Sequence, residues 1–414
     1  MTSRNWPNEL VRACATISLL LGWPLGAQMK PTQPPAAPAQ PPAAQPKTPA
    51  VALLDSGDAV QWRNWTRDLG WQVIAPASAP AADIDSRVRA LAAAVESAIQ
   101  TGSVDPARVY IAGRGDAVAS VFYAISRVPD LWAAGVALGG SPKAAIDSNR
   151  IFAANFTLVP VLWISGDESR PMVEKLTAAQ LNLEWQPAAG FNTASLLQWL
   201  ARHQRAAFPL SIDCETNSPT FARCYWIQPA KFDAGERNDV LASTRISGGT
   251  GAALDLGAFG FKVDDPTPGV LVTSLPGKYS GPLKPGDRLL ALDGKPLANP
   301  RQYLELLEKI TEEKPATVTV QRGKERIRVE TRITLPRRET GVTARVQAQY
   351  LPAEKEIQIV SRTITEMRVT VAPEWIPATL LWNGLTLENL NQAGCWTLSV
   401  QKELLHAEKE AEAK

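Results

Sequence analysis

The sequence predicts an α/β domain with a mostly parallel sheet, followed by a small antiparallel β domain that contains an inserted segment. Two observations lead to this prediction. Between residues 51 and 208, short apolar runs alternate with segments of helical spacing, as in parallel sheets covered by helices on both faces. After residue 209, glycine and proline become frequent, and apolar residues recur at every second position, which is typical of antiparallel strands. The 414 residues are enough for two or three domains.

Composition excludes several functions. The 43 basic and 41 acidic residues give a net charge of +2, and no basic stripe stands out, so no nucleic acid is expected as a partner. The chain has two histidines and no C-x-x-C motif. We therefore predict neither a metal nor a cofactor.

The N-terminal residues predict export. Arg4 and Arg12 precede a short apolar run that ends in small residues, so residues 1–27 are interpreted as a signal peptide. An uncleaved membrane anchor is the alternative. Residues 28–50 are rich in proline and alanine, which favours an extended linker. We expect a periplasmic, envelope-associated or secreted protein, with possible association to the envelope through its N-terminus.

The α/β domain is predicted over residues 51–208. Helices are expected at residues 58–69, 85–99 and 193–205, where apolar residues have helical spacing. Buried strands are expected at residues 51–54, 71–75, 109–112, 135–138, 158–164 and 181–185.

Residues 108–118 predict a strand, a sharp turn and a helix, with the turn at Gly113-Arg114-Gly115-Asp116-Ala117. This pattern and the element order resemble the α/β-hydrolase fold, in particular its bacterial esterase and peptidase-like branch. The resemblance implies a G-x-S-x-G nucleophile elbow at this turn. Gly115 occupies the position of the nucleophilic serine, so the attacking atom is missing.

The rest of the triad is incomplete as well. The resemblance places the base in the loop at residues 188–193, which contains no histidine, while His203 comes later and His406 lies near the C-terminus. Asp167 matches the position of the acid, or is a turn residue. Asp116 is interpreted as a turn residue or helix cap rather than a nucleophile. We therefore predict a pseudo-hydrolase domain, and the alternative is an exported esterase or peptidase with an unconventional active site.

Residues 236–338 carry a second resemblance. The run from Gly281 to Leu297 contains Leu-Lys-Pro-Gly-Asp-Arg-Leu-Leu-Ala-Leu-Asp-Gly-Lys-Pro, a helix pattern covers residues 300–310, and a hairpin pattern covers residues 316–330. Together they are similar to a PDZ domain.

This resemblance implies that the segment binds the C-termini of peptides or proteins, which add as a strand to an open sheet edge. The strand expected for this edge covers residues 261–263, and the carboxylate would lie against backbone N–H groups. The alternative is a groove filled from within the molecule. The implied peptide-binding residues are Ala258, Phe259, Gly260, Phe261, Val263, Tyr303, Leu304 and Leu307.

The flanks of this segment, residues 209–235 and 339–400, are predicted to join into one split β domain. The alternative is a linear string of three domains. Cys214 and Cys224 either form a disulfide across a hairpin or remain reduced. Residues 401–414 are expected to be a charged helical or disordered tail. Strand patterns cover residues 224–228, 343–350, 356–360 and 367–371.

Overall fold

The structure is a computed structural model that describes residues 47–76, 83–235, 240–246, 251–335, 341–401 and 404–411. The predicted signal peptide at residues 1–27 lies outside these ranges, as does most of the predicted linker. The first strand starts at Thr48, inside the segment assigned to the linker. No helix in the described ranges is long and apolar enough to cross a membrane.

The first layer is a parallel sheet of six strands in the order β2-β1-β3-β4-β5-β6, which confirms the predicted parallel sheet. Helices cover both of its faces. Successive residues of a strand point to opposite faces, so Ala50 and Ala52 belong to one core, while Val51 and Leu53 belong to the other. The strands are β1 (Thr48–Leu53), β2 (Gln72–Ile74), β3 (Val104–Arg114), β4 (Ala134–Leu138), β5 (Val161–Ser165) and β6 (Leu183–Pro187).

The second and the last helix of this layer begin at side-chain caps, Asp83 and Asn192. Asp83 accepts a hydrogen bond from the Ser86 amide at 2.9 Å and so caps the second helix, whose Val88, Leu91 and Val95 are buried. The helices are α1 (Ala59–Thr66), α2 (Ile84–Gln100), α3 (Ala117–Arg127), α4 (Lys143–Asp147), α5 (Arg170–Ala178) and α6 (Thr193–Ala201).

The chain then enters a β domain with β7 (Ser211–Thr216) and β8 (Ile227–Phe232), which belong to two different sheets. A disulfide joins Cys214 on β7 to Cys224, which precedes β8. Of the two alternatives for this pair, the disulfide is the one present, and it joins β7 to the residues just before β8 rather than the two strands of a hairpin.

Residues 251–335 form their own antiparallel sheet in the order β10-β11-β13-β14-β9, with β12 beside β11 and one helix. The predicted hairpin and helix are both present. The predicted strand at residues 261–263 does not form. Next to it, a single bridge joins Gly260 to Ser274, and the pairing does not continue into residues 261–263. The elements are β9 (Ala253–Leu254), β10 (Val270–Leu271), β11 (Arg288–Leu292), β12 (Lys295–Pro296), α7 (Pro300–Glu308), β13 (Lys314–Arg322) and β14 (Glu325–Thr334).

The remaining strands complete the β domain on both sides of a shared core. Here β15 pairs with β7, and β17 pairs with β8, so the residues before and after the inserted sheet form the same two sheets. Trp226, Trp375 and Trp382 are buried between them. The strands are β15 (Ala344–Leu351), β16 (Glu356–Arg362), β17 (Ile364–Val371), β18 (Ala378–Trp382), β19 (Leu385–Leu390), β20 (Gly394–Gln401) and β21 (Leu404–Lys409).

The expectation of a charged helical or disordered tail after residue 400 is wrong for the part described. Strand β21 pairs with β20 at the edge of the sheet. Its residues alternate in burial, and Leu405 and Ala407 pack against the core of the β domain. The alternation of buried and exposed residues, together with the unpaired edge of β20, outweighs the helical preference of the charged residues.

Candidate functional site

Two sites follow from the sequence: the turn after β3 and the region between residues 257–263 and α7. The turn has the backbone of an elbow. Strand β3 ends at Arg114, α3 begins at Ala117, and Gly115 between them has a φ of +53°. Side-chain-bearing residues disfavour this left-handed conformation by roughly 1–2 kcal/mol, so glycine relieves the strain of the turn.

Two further glycines make this turn tight. A Cβ atom at Gly113 would lie 2.8 Å from the Ala117 carbonyl oxygen, and one at Gly140 would lie 1.9 Å from the Gly115 oxygen. A Cβ at Gly115 itself would meet nothing within 4 Å. The position of the nucleophile is therefore open, while the positions around it exclude side chains.

The charged neighbours of Gly115 do not form a catalytic arrangement. Arg114 donates to Gln61 on α1 and lies 3.8 Å from Asp58. Asp116 is exposed and makes no capping hydrogen bond at the start of α3. Its placement on the turn agrees with the interpretation as a turn residue.

Asp167 lies after β5, as the resemblance implies, but its side chain is 75% exposed. It forms an ion pair with Arg170 at 2.9 Å, three residues further along the chain. Within the described part of the chain, its ion pair is thus a local one, as expected for a turn residue.

Both histidines of the chain lie away from the elbow. The backbone of Arg205, two residues after His203, donates to the Ala107 carbonyl near the start of β3. Seven residues at about 3.3 Å each put this end of the strand about 23 Å from Arg114. His406 is exposed on β21 in the β domain. The described residues therefore bring no histidine to Gly115, and none of their His, Cys, Asp and Glu side chains group into a metal site.

In the second site, aromatic side chains meet between residues 257–263 and α7. The ring of Phe261 lies 6.0 Å from that of Tyr303 and 5.7 Å from that of Phe259. Tyr303 and Leu307 are buried in the core, and burial raises the pKa of Tyr303 to about 12. Leu304 on α7 remains 36% exposed. We use the name apolar groove for the surface formed by Ala258, Phe259, Phe261, Val263, Tyr303, Leu304 and Leu307.

The loop beside the apolar groove presents backbone N–H groups. The Gly260 amide donates to the Ser274 carbonyl at 2.8 Å, so it is occupied. The amides of Ala258, Phe259 and Phe261 donate to no acceptor in the described part of the chain. Neighbouring free amides of this kind can bind an anion.

The sequence analysis missed the residue that holds this loop. The Tyr279 hydroxyl donates to the Leu256 carbonyl and accepts from the Leu283 amide at 3.1 Å. A Cβ at Gly257 would lie 2.7 Å from the same ring, and Gly257 has a φ of +72°. A lone tyrosine after Pro-Gly-Lys carries no sequence signal for this role.

No protein-family model matches this sequence, and no curated protein matches it either. Solved structures do match part of it. A thermostable esterase is 15% identical over 39% of this chain and 56% of its own, with a TM-score of 0.31. Esterase Est22 is 13% identical over 38% of this chain and 73% of its own, with a TM-score of 0.30. Est1E from Butyrivibrio proteoclasticus is 13% identical over 39% of this chain and 88% of its own, with a TM-score of 0.29.

These similarities are too low to carry a functional argument. A parallel sheet in the order β2-β1-β3-β4-β5-β6, with helices on both faces and a sharp turn after β3, fits an α/β-hydrolase-like core. Additional antiparallel sheets follow it. Ligands of open α/β sheets bind outside the carboxyl ends of the strands, which is where Gly115 and Asp167 lie.

Proposed function

We propose that the protein is an exported, non-catalytic binding protein that captures peptide or protein C-termini in the apolar groove. In this proposal residues 236–338 form a PDZ domain inserted into the β domain, and the α/β domain is a pseudo-hydrolase scaffold. The observation that carries it is the juxtaposition of the free amides of Phe259 and Phe261 with an apolar surface. A C-terminal residue offers the matching chemistry, a carboxylate next to a side chain.

The geometry sets a condition on how a peptide would bind. Residues 261–263 are not paired as a strand, and only Gly260 is bridged to Ser274. We therefore propose that residues 261–263 become a strand when a peptide binds and pairs with them.

The test is selection from a library of ten-residue peptides with free C-termini, with amidated copies of the selected peptides as the chemical control. We expect enrichment and a large loss of affinity on amidation. Leu304→Arg, which puts a charge at an exposed position of the groove, should weaken binding about tenfold or more. Glu305→Arg on the same helix is the matched control. If no peptide is enriched, or amidation has no effect, the proposal fails.

Export is supported by the Cys214–Cys224 disulfide, because such bonds persist in oxidising compartments. Envelope association through the N-terminus is part of the same proposal. Fractionation of cells that produce the full chain tests both, together with mass spectrometry of the recovered N-terminus. A reduced cysteine pair in protein recovered from the cytoplasmic fraction would contradict export.

The alternative is an exported esterase or peptidase with an unconventional site. It is favoured by one observation, the elbow backbone at Gly115. Labelling of the unmodified protein by a fluorophosphonate, or turnover of short acyl esters, would support it over the binding proposal.

A further inference from the structure

A cleft of about 1180 Å³ separates the inserted sheet from the loop that follows β5. Its volume exceeds the usual 300–1,000 Å³ of small-molecule pockets, so it has room for a segment of polypeptide. Asp167, Glu168 and Pro171 line it on the side of the α/β domain. Residues 262–267 and Arg301 line it on the side of the inserted sheet.

The cleft continues the apolar groove in a defined direction. Phe261 packs against Tyr303, whereas Asp264, three residues later, pairs with Arg301 at 3.3 Å. Moving from residue 261 to residue 264 therefore leads from the fourth residue of α7 towards its N-terminus. A peptide with its carboxylate at residues 257–260 that lies along this segment would leave the groove at the cleft.

The residues that precede the inserted sheet are attached to the α/β domain. The Ile246 amide donates to Ile151 at 2.8 Å, and the Ala153 amide donates to Thr244 at 2.9 Å. Residues 244–246 are thus paired with the same domain that supplies one wall of the cleft.

We propose that residues 167–171 form a second subsite, which contacts the residues that precede the C-terminus of the bound peptide. This inference rests on the proposed function and names its partner more closely: a protein with an extended C-terminal tail that carries both apolar and charged residues. The mixed character follows from the walls, where Val263, Pro171 and Leu271 lie beside Asp167, Asp264 and Arg301, whose side chains are 75%, 88% and 68% exposed. In this arrangement the α/β domain takes part in binding and is more than a support for the inserted sheet.

The experiment compares a selected ten-residue peptide with its own five C-terminal residues by fluorescence anisotropy on the full chain. We expect the longer peptide to bind about tenfold more tightly. Glu168→Trp should fill the cleft and abolish this difference, leaving the affinity for the short peptide unchanged. Glu174→Trp, at an exposed position of α5 outside the cleft, is the matched control and should keep the difference.

Hydrogen exchange supplies a readout that needs no variant. The amides of residues 166–170 should gain protection with the long peptide and not with the short one. Equal affinities for the two peptides, or unchanged exchange at residues 166–170, would overturn the second subsite while leaving groove binding intact. If neither peptide binds, or if amidation is without effect, the proposed function itself falls.

Discussion

Replacing Glu215 with alanine is expected to destabilise the β domain and to release both linkers of the inserted sheet. Glu215 lies on β7 and its side chain is fully buried. It accepts hydrogen bonds from Ser243 and Thr244 before the inserted sheet, and from Thr343 after it. One carboxylate therefore ties the entry and the exit of the inserted sheet to the same strand.

The magnitude follows from what remains after the carboxylate is removed. Arg362, whose side chain is 13% exposed, lies 3.4 Å from Glu215 and would lose its charged partner. Removing one member of a buried ion pair costs about 3–5 kcal/mol. Arg362 keeps its bonds to the Leu241 and Thr343 carbonyls, which offset part of the loss. We therefore expect about 3 kcal/mol, near the lower end of that range.

Urea denaturation followed by tryptophan fluorescence measures this loss, because Trp226, Trp375 and Trp382 lie in the affected core. Limited proteolysis should also show faster cleavage around residues 240–246 and 341–343. Glu354→Ala, at an exposed turn, is the control and should change stability by less than about 0.5 kcal/mol. A loss below about 1 kcal/mol for Glu215→Ala, with unchanged proteolysis, would refute the reasoning, since even one net hydrogen bond contributes that much.

Three further predictions address the turn, the disulfide and the inserted sheet. Gly115→Ser should fold with a loss of roughly 1–2 kcal/mol from its left-handed φ, and a fluorophosphonate should not label it; labelling would contradict the absence of a base. Replacing both Cys214 and Cys224 with serine should cost about 3 kcal/mol for a loop of this length, and an unchanged urea midpoint would argue against a stabilising bond. Arg322 holds the pKa of the buried Asp287 carboxyl below its usual 3.8, so this stabilisation is complete above that pH and is lost as the pH falls through the lower folded-state pKa. Asp287→Asn should lower stability at neutral pH and weaken its acid dependence, and urea midpoints that fall equally steeply with acid in both proteins would contradict this.

Much of the architecture could be predicted because its signals are local. The buried strands of the parallel sheet, for example, are short apolar runs that the sequence shows directly. Strand β21 was not predicted, because its charged residues favour a helix, and its strand conformation comes from pairing with β20, which directly precedes it in the chain. Residues 261–263 have the composition of a strand, yet among the described residues the pairing stops at the bridge between Gly260 and Ser274.

The residues of the candidate sites also fall into a part that could be predicted and a part that could not. The local sequence pattern placed Gly115 on a turn, and the resemblance to a PDZ domain implied that Phe259, Phe261 and Tyr303 lie together. Neither could reveal the cleft or the role of Glu215. Both depend on contacts between residues far apart in the chain, such as the bond between Thr343 and Glu215.

The elbow without a nucleophile has a physical explanation in its packing. Gly113 and Gly140 lie so close to the backbone of the turn that any side chain there would collide with it. These contacts hold the turn in place whether or not residue 115 carries a side chain. The geometry of the elbow is thus a property of the sheet and its neighbouring loops, and the chemistry is a separate property of one open position. The backbone of such a turn can therefore persist when no nucleophile occupies its open position, and the side chains alone decide which chemistry it supports.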